Sequence, residues 1–176
     1  MHLVLPTSKY KTSFLQALDE YLKEKSRPST QDLFLLDKEV LEKDFSTYVN
    51  KLLDESHGKH LPVGYVSHTV YWLIDSDEVI GRVDIRHSLT ENLMRIGGHI
   101  GYDIRPSKRN QGYGKEILKL ALPKAKALGL IKVLVTCDET NIASKKIIEA
   151  NGGAFENSVK QGFGKPKKLR YWITIS

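Results

Sequence analysis

Residues 101–118 read GYDIRPSKRNQGYGKEIL. A strand ends at Ile104-Arg105-Pro106, Arg109 follows, and Gly112 and Gly114 stand at the entrance of a run with helical spacing. Glycines let successive backbone N–H groups turn toward one point, and a helix N-terminus adds partial positive charge there, so the pattern asks for an anion. The Walker loop fails, because Glu116 follows Lys115 where Ser or Thr is required. The dinucleotide fingerprint fails as well: Ile117 stands where its third glycine belongs, and the unit comes after two helices and a hairpin. What remains is Arg/Gln-x-x-Gly-x-Gly/Ala between a strand and a helix, a pattern that a plain turn also satisfies.

Downstream, Leu118, Ala121, Leu122, Ala125 and Leu128 recur at helical spacing up to Gly129. Pro123 inside this run removes a backbone hydrogen bond, which predicts a kink or an early break. IKVLVTC (131–137) is a nearly unbroken apolar strand, the pattern of burial on both faces. Strand, helix and strand make a βαβ unit. A last helix follows over 142–150, stopped by Gly152-Gly153, and AFENSVK with KLRYWITIS closes the chain as a strand pair.

Upstream, Phe14, Leu15, Leu18, Tyr21 and Leu22 predict an amphipathic helix broken at 25–32 around Pro28. Leu41, Phe45, Tyr48, Val49, Leu52 and Leu53 predict a second helix, stopped near Gly58. VGYVSHTVYWLI, the turn DSDE and VIGRVDIRH read as an antiparallel hairpin. Its second strand puts Val79, Gly81, Val83 and Ile85 on one face and Arg82, Asp84 and Arg86 on the other. SLTEN (88–92) is a loop. With no repeat, low-complexity tract or linker, residues 1–176 read as one domain of mixed α/β class.

Composition narrows the partners. The chain is 40% apolar and 27% charged, the balance of a globular domain, and no apolar run approaches a membrane span. No secretory signal is visible at the start, and a single cysteine, Cys137, excludes an internal disulfide and fits a reducing cytoplasm. No metal site is expected. The net charge of +6 suits an anionic ligand, but the basic residues are scattered. Their densest cluster, Lys165, Lys167, Lys168 and Arg170, reads as a solvated hairpin end, so no nucleic-acid partner is expected. No pattern reads out oligomeric state, and a homodimer is left open.

The stretch 101–118, together with VLVTCDETNIASKKIIEANGG (133–153), resembles the central motifs of the GNAT N-acetyltransferases. The order of elements agrees with that family: two helices, a meander of strands, βαβ, a helix and a closing hairpin. HTVYWLID, IRHSL, GGHIGY and RYWI further resemble a poorly characterised bacterial branch of predicted acetyltransferases. The resemblance implies a mixed, mostly antiparallel twisted sheet with flanking helices and a splayed parallel strand pair ending near Ile104 and Cys137. It implies acetyl-coenzyme A as co-substrate, its pantetheine arm along Ile104 and its pyrophosphate on the turn of Arg109, Asn110, Gln111, Gly112, Tyr113, Gly114 and Lys115. Asn141 matches the asparagine that holds the pantetheine arm, and it also suits a helix N-cap; Lys145 and Lys146 are within range of the nucleotide phosphates.

The implied activity is direct acetyl transfer to a primary amine of a small metabolite, amino acid or peptide. A non-catalytic coenzyme A-binding sensor or structural protein is the alternative. Ile148 stands where many members carry a general-acid tyrosine, which leaves Tyr102, Tyr171 or unassisted thiolate departure. The family's usual base carboxylate on the central strand is missing from GGHIGY, and His99 is the nearest group with a suitable intrinsic pKa. Asp84, Arg86, His87 and Trp72 are candidates to face the acceptor. Cys137 reads as a small structural thiol rather than an acyl carrier.

Overall fold

The computed structural model describes residues 1–24 and 36–175. The break expected at 25–32 lies outside the described residues. Seven strands, β1 (His2–Val4), β2 (His68–Asp75), β3 (Glu78–Arg86), β4 (Ile100–Ile104), β5 (Lys132–Asp138), β6 (Ala154–Val159) and β7 (Lys168–Thr174), form one sheet in the order β1-β2-β3-β4-β5-β7-β6. Every neighbouring pair is antiparallel except β4 and β5.

Helices cover both faces. On one side lie α1 (Lys11–Lys23), α2 (Lys38–Lys43) and α3 (Phe45–Ser56). Their apolar stripes bury Phe14, Leu18, Phe45, Tyr48 and Leu52 against Val70, Trp72 and Ile74 of β2. Phe14 sits 4.9 Å from Trp72 and 5.4 Å from Phe45, centroid to centroid. Clusters of this kind make truncation of one ring costly, about 3–5 kcal/mol. On the other side α4 (Tyr113–Ala127) and α5 (Ile142–Ala150) bury Ile117, Leu118, Ala121 and Ile148 against Val83, Ile85, Ile100 and Val135.

Four local outcomes differ from the sequence expectation. The single second helix is two, because Asp44 turns its carboxylate onto the Thr47 N–H at 3.1 Å and onto the Ser46 and Thr47 hydroxyls, capping α3. Those hydrogen bonds hold Asp44 down at about 2. Pro123 does not end α4, which continues through it to Ala127; the proline is on the exposed side of the helix. Val79 does not share a face with Val83, because a bulge in the β2–β3 ladder, between the pairs Leu73↔Gly81 and Ile74↔Val79, flips it toward the α1–α3 side. The three-residue edge strand β1 went unpredicted.

The β2–β3 turn follows its sequence: Ser76 and Asp77 both take left-handed φ (48° and 62°), as a tight two-residue hairpin demands. The basic cluster is a hairpin end, with Lys168 paired to Asp138 at 2.8 Å and Arg170 to Glu156 at 2.9 Å. Among the described residues no helix is long and apolar enough to cross a membrane, and no group of three or more His, Cys, Asp or Glu is placed to hold a metal.

Candidate active site

The one parallel pair is barely a pair. β4 and β5 register only at Ile100↔Val135, and beyond it they diverge. The joint is built by Gly98 and His99. Gly98 takes φ 73°, and a Cβ there would stand 2.6 Å from the Leu134 carbonyl. His99 donates its N–H to that same carbonyl at 2.7 Å, while its Nδ1 accepts the Leu134 N–H at 2.9 Å. An imidazole thus stands in for a strand partner. Burial and the nearby Arg86 push its pKa below the usual value. Further along β4, the Arg86 N–H to His99 O and Arg105 N–H to Ile80 O bonds turn the odd-numbered residues toward β3. By alternation Tyr102 and Ile104 turn their backbone groups into the notch.

At the far end of the notch the chain makes the glycine turn of residues 109–115. Asn110 (φ 60°) and Gly112 (φ 89°) are both left-handed, and no side chain caps α4. Alternating left-handed residues converge N–H groups into a concave nest, and the uncapped first turn adds the helix dipole. Among the described residues a Cβ on Gly112 would meet nothing within 4 Å. Gly114 is small for another reason: its Cβ would lie 2.5 Å from Ile147 Cδ1, which lets α4 approach α5.

The side chains of the turn mostly brace it. Arg109 donates to Glu24 at 2.6 Å and to the Ile104 carbonyl at 3.0 Å. Gln111 donates to the Ser107 carbonyl at 3.1 Å, and the Tyr113 hydroxyl to Asp75 at 2.9 Å. Lys115 is exposed. Asn141 caps α5, its Oδ1 accepting the Ser144 N–H at 3.0 Å, and Lys145 lies 4.0 Å from Glu149.

Two hydroxyls meet beside the notch. Tyr102 on β4 and Ser144 on α5 are hydrogen-bonded at 3.0 Å. Burial drives the Tyr102 pKa well above its usual range. Ser144 was not singled out from the sequence; the signal available was its place three residues after the capping Asn141. Cys137 is buried at the notch end of β5, and burial raises its thiol to about 11. Ile148 is fully buried in the core. Tyr171 lies across β5 from the notch, on β7, with its hydroxyl 3.4 Å from Glu149 and its pKa pushed to about 12 by burial and that carboxylate.

The opposite face of the notch carries a buried polar group. Asp84 pairs in register with Gly101, is 7% exposed, and its Oδ1 has no hydrogen-bond partner among the described residues. Among the described residues a Cβ on Gly101 would meet nothing within 4 Å, on the face that Asp84 shares. His68, diagonal to Asp84 on the β2–β3 ladder, lies 3.5 Å from Glu55 of α3 and donates its Nδ1–H to the Val66 carbonyl at 3.2 Å. Burial lowers the His68 pKa, but the Glu55 bond, Asp84 and Val66 outweigh it and leave the pKa raised. Arg86 donates to the Gly98 carbonyl at 3.0 Å, and His87 Nε2 is 2.8 Å from the Thr69 hydroxyl. Trp72 does not belong with them. It is 0% exposed, sealed among Phe14 and Phe45 beneath α1 and α3, and cannot touch an acceptor.

A family model described as an acetyltransferase (GNAT) domain matches residues 34–154. A comparison of the sequence with curated proteins gave no match. Solved structures are similar in fold. A ribosomal L7/L12 alpha-N-protein acetyltransferase, RimL, in complex with coenzyme A superposes with a TM-score of 0.71 at 17% identity, covering 98% of this chain and 93% of that one. The microcin C7 self-immunity acetyltransferase MccE, bound to acetyl-CoA and AMP, gives 0.69 at 13%, covering 98% and 91%. RimJ of Mycobacterium smegmatis, in complex with CoA-disulfide, gives 0.67 at 19%, covering 98% and 80%.

Proposed function

The chain belongs to the GNAT acetyltransferase family, with acetyl-coenzyme A as donor, and on that premise we propose that it is an N-acetyltransferase acting on a primary amine. The observation that carries the donor site is the uncapped entrance of α4, with left-handed Asn110 and Gly112 beside an unpaired edge of β4. On this reading the N–H groups of Gly112, Tyr113 and Gly114 hold the pyrophosphate, and exposed Lys115 and half-buried Lys145 add charge around it. Tyr102 and Ile104 offer backbone groups to the pantetheine arm, as an added strand would require. Arg109, Asn110 and Gln111 hold the turn in shape.

For the transfer itself, notch N–H groups near Ile104 polarise the thioester carbonyl and stabilise its developing charge. The Tyr102–Ser144 hydroxyl pair supplies the proton for the leaving thiolate in place of the tyrosine that Ile148 replaces. His99 serves the joint between strands: its Nδ1 lone pair is engaged by the Leu134 N–H, and a base needs that lone pair free. Tyr171 belongs to the packing on the far side of β5.

The acceptor to test first is the α-amine of a peptide or protein. Support comes from structural neighbours named for acetylating ribosomal proteins, L7/L12 among them. A smaller amine or amino acid enters the same screen. The sensor alternative is less favoured, because hydroxyl donors and a buried carboxylate stand on the two sides of the notch.

The test is thermal unfolding with acetyl-CoA, desulfo-coenzyme A and a simple polyanion. At 100-fold excess over Kd, a ligand that binds only the folded chain adds about 2.7 kcal/mol. For a chain of this size that is a rise of roughly 5–11 °C. A shift with both coenzyme A ligands and not the polyanion supports the donor site, and no shift refutes it. Thiol release with a panel of peptides and small amines then decides the acceptor.

A further inference from the structure

Resting on that reading, we propose that Asp84 is the group that draws in the acceptor's ammonium and takes its proton. Four observations converge on it. Asp84 is buried with one carboxylate oxygen unpartnered among the described residues, and a native fold rarely leaves such an oxygen so without a use. It sits in register with Gly101, the first residue of β4 beyond the Ile100↔Val135 joint, so it lies level with the mouth of the splay. No Cβ intervenes: none of the described residues comes within 4 Å of a Cβ placed on Gly101. Directly opposite pairs on an antiparallel ladder share a face, so carboxylate and opening are on the same side.

The groups around Asp84 suit this work. His68 lies diagonally across the β2–β3 ladder on the same face, about 7–8 Å away by strand geometry. Glu55 and the Val66 carbonyl anchor its ring from α3 and from its own strand's approach. Arg86 and His87 also face this end from β3, and His57 from the end of α3, but Arg86 is tied to Gly98 and His87 to Thr69. His68 is therefore a positioning residue. It holds the carboxylate's charge in the absence of an acceptor, and Glu55 holds the ring.

The step balances. One proton passes from the acceptor's R–NH3+ to the Asp84 carboxylate, freeing the nitrogen lone pair. That lone pair forms the C–N bond to the acetyl carbon as the C–S bond breaks. Asp84 passes that proton to water and takes the second from nitrogen as the adduct collapses; the thiolate is protonated from the Tyr102–Ser144 pair, which water reprotonates. Two protons leave through Asp84 and one is taken up, so net release is one proton per turnover.

Asp84→Asn tests the assignment, because it keeps the shape and removes the base. The probes are a peptide with a free α-amine and methylamine as a minimal acceptor. Expected is a loss of kcat/KM of about 100-fold or more near neutral pH, with the acetyl-CoA thermal shift unchanged. The deficit narrows as pH rises and the acceptor arrives already deprotonated. Asp84→Ala, rescued by formate, separates a missing carboxylate from a disturbed fold. His68→Gln lowers activity with acetyl-CoA binding intact, and Arg86→Lys does so far less.

An Asp84→Asn protein that binds acetyl-CoA and keeps kcat/KM within about threefold would overturn the assignment and leave the acetyltransferase reading standing. So would Asp84→Ala that formate does not rescue while Asp84→Asn is active. A wild-type protein that binds acetyl-CoA and acetylates neither probe overturns the amine reading, and this inference with it.

Discussion

Gly112 separates two demands that one residue meets, backbone conformation and ligand space, and substitutions there are expected to part them. Its φ of 89° is left-handed, where an L side chain costs about 1–2 kcal/mol. None of the described residues beyond its chain neighbours lies within 4 Å of a Cβ placed there, so no clash with them adds to that cost. Gly112→Ala therefore lowers the melting temperature of the ligand-free protein by about 2–8 °C. Gly112→Asn costs less, since Asn tolerates the left-handed region, and its melting temperature stays near that of the parent. Both put atoms where the pyrophosphate is to sit, so both abolish most of the acetyl-CoA shift. The assay is calorimetric titration with acetyl-CoA alongside a melt of the free protein. A Gly112→Asn variant with native stability and a Kd within about threefold of the parent would refute the placement of the phosphates, since about 0.7 kcal/mol is all that such a change represents.

Tyr102→Phe and Ser144→Ala, singly, are expected to reduce kcat by about 100-fold with acetyl-CoA affinity unchanged, measured by thiol release; equal effects on kcat and Kd would point to cofactor positioning instead. His99→Leu orphans the buried Leu134 N–H and should cost about 1–3 kcal/mol in denaturant unfolding, with any activity loss explained by that instability. Because the folded His99 pKa lies below its unfolded value near 6.5, the stability it protects is present above that pH and is lost as pH falls; His99→Leu flattens that slope. His68 has the opposite sign. Its raised pKa gives stability that is full below about 6.5 and lost as pH rises through the folded value, a loss that His68→Gln removes in melts run across that range.

What the sequence made legible was local. The turn at Gly112, the apolar run of β5, the Asn141 cap and the DSDE hairpin each depend on a few adjacent residues whose backbone preferences decide the outcome. What it hid depends on residues far apart in the chain. Trp72 looked like a cleft wall because an aromatic in a strand can face either way; only the aromatic pair Phe14 and Phe45 from the covering helices settles it. His99 looked like a base because residue type alone advertises a pKa; its ring is instead used up on a backbone N–H 35 residues away. Glu55, His68 and Asp84 come from three elements and meet only through the β2–β3 register and the seat of α3. The bulge near Val79 adds a final obstacle, since one extra residue reverses the faces that alternation assigns.

The same alternation explains why a site of this kind needs a splayed pair at all. Gly101 and Tyr102 are consecutive on β4 and so serve opposite faces. Gly101 opens toward Asp84 on the α1–α3 side, and Tyr102 reaches Ser144 on the α5 side. A closed ladder between β4 and β5 would put a wall of backbone between carboxylate and hydroxyls. With the ladder limited to Ile100↔Val135, a thioester held along the β4 edge has one face toward each. On the proposed reading the amine attacks from the Asp84 side while the thiolate leaves toward Tyr102. On this account the Gly98–His99 joint acts on the proposed catalysis without touching a substrate: it stops β4 and β5 from closing and so keeps the β4 edge open, while the β3–β4 ladder fixes the spacing of Asp84 and Tyr102.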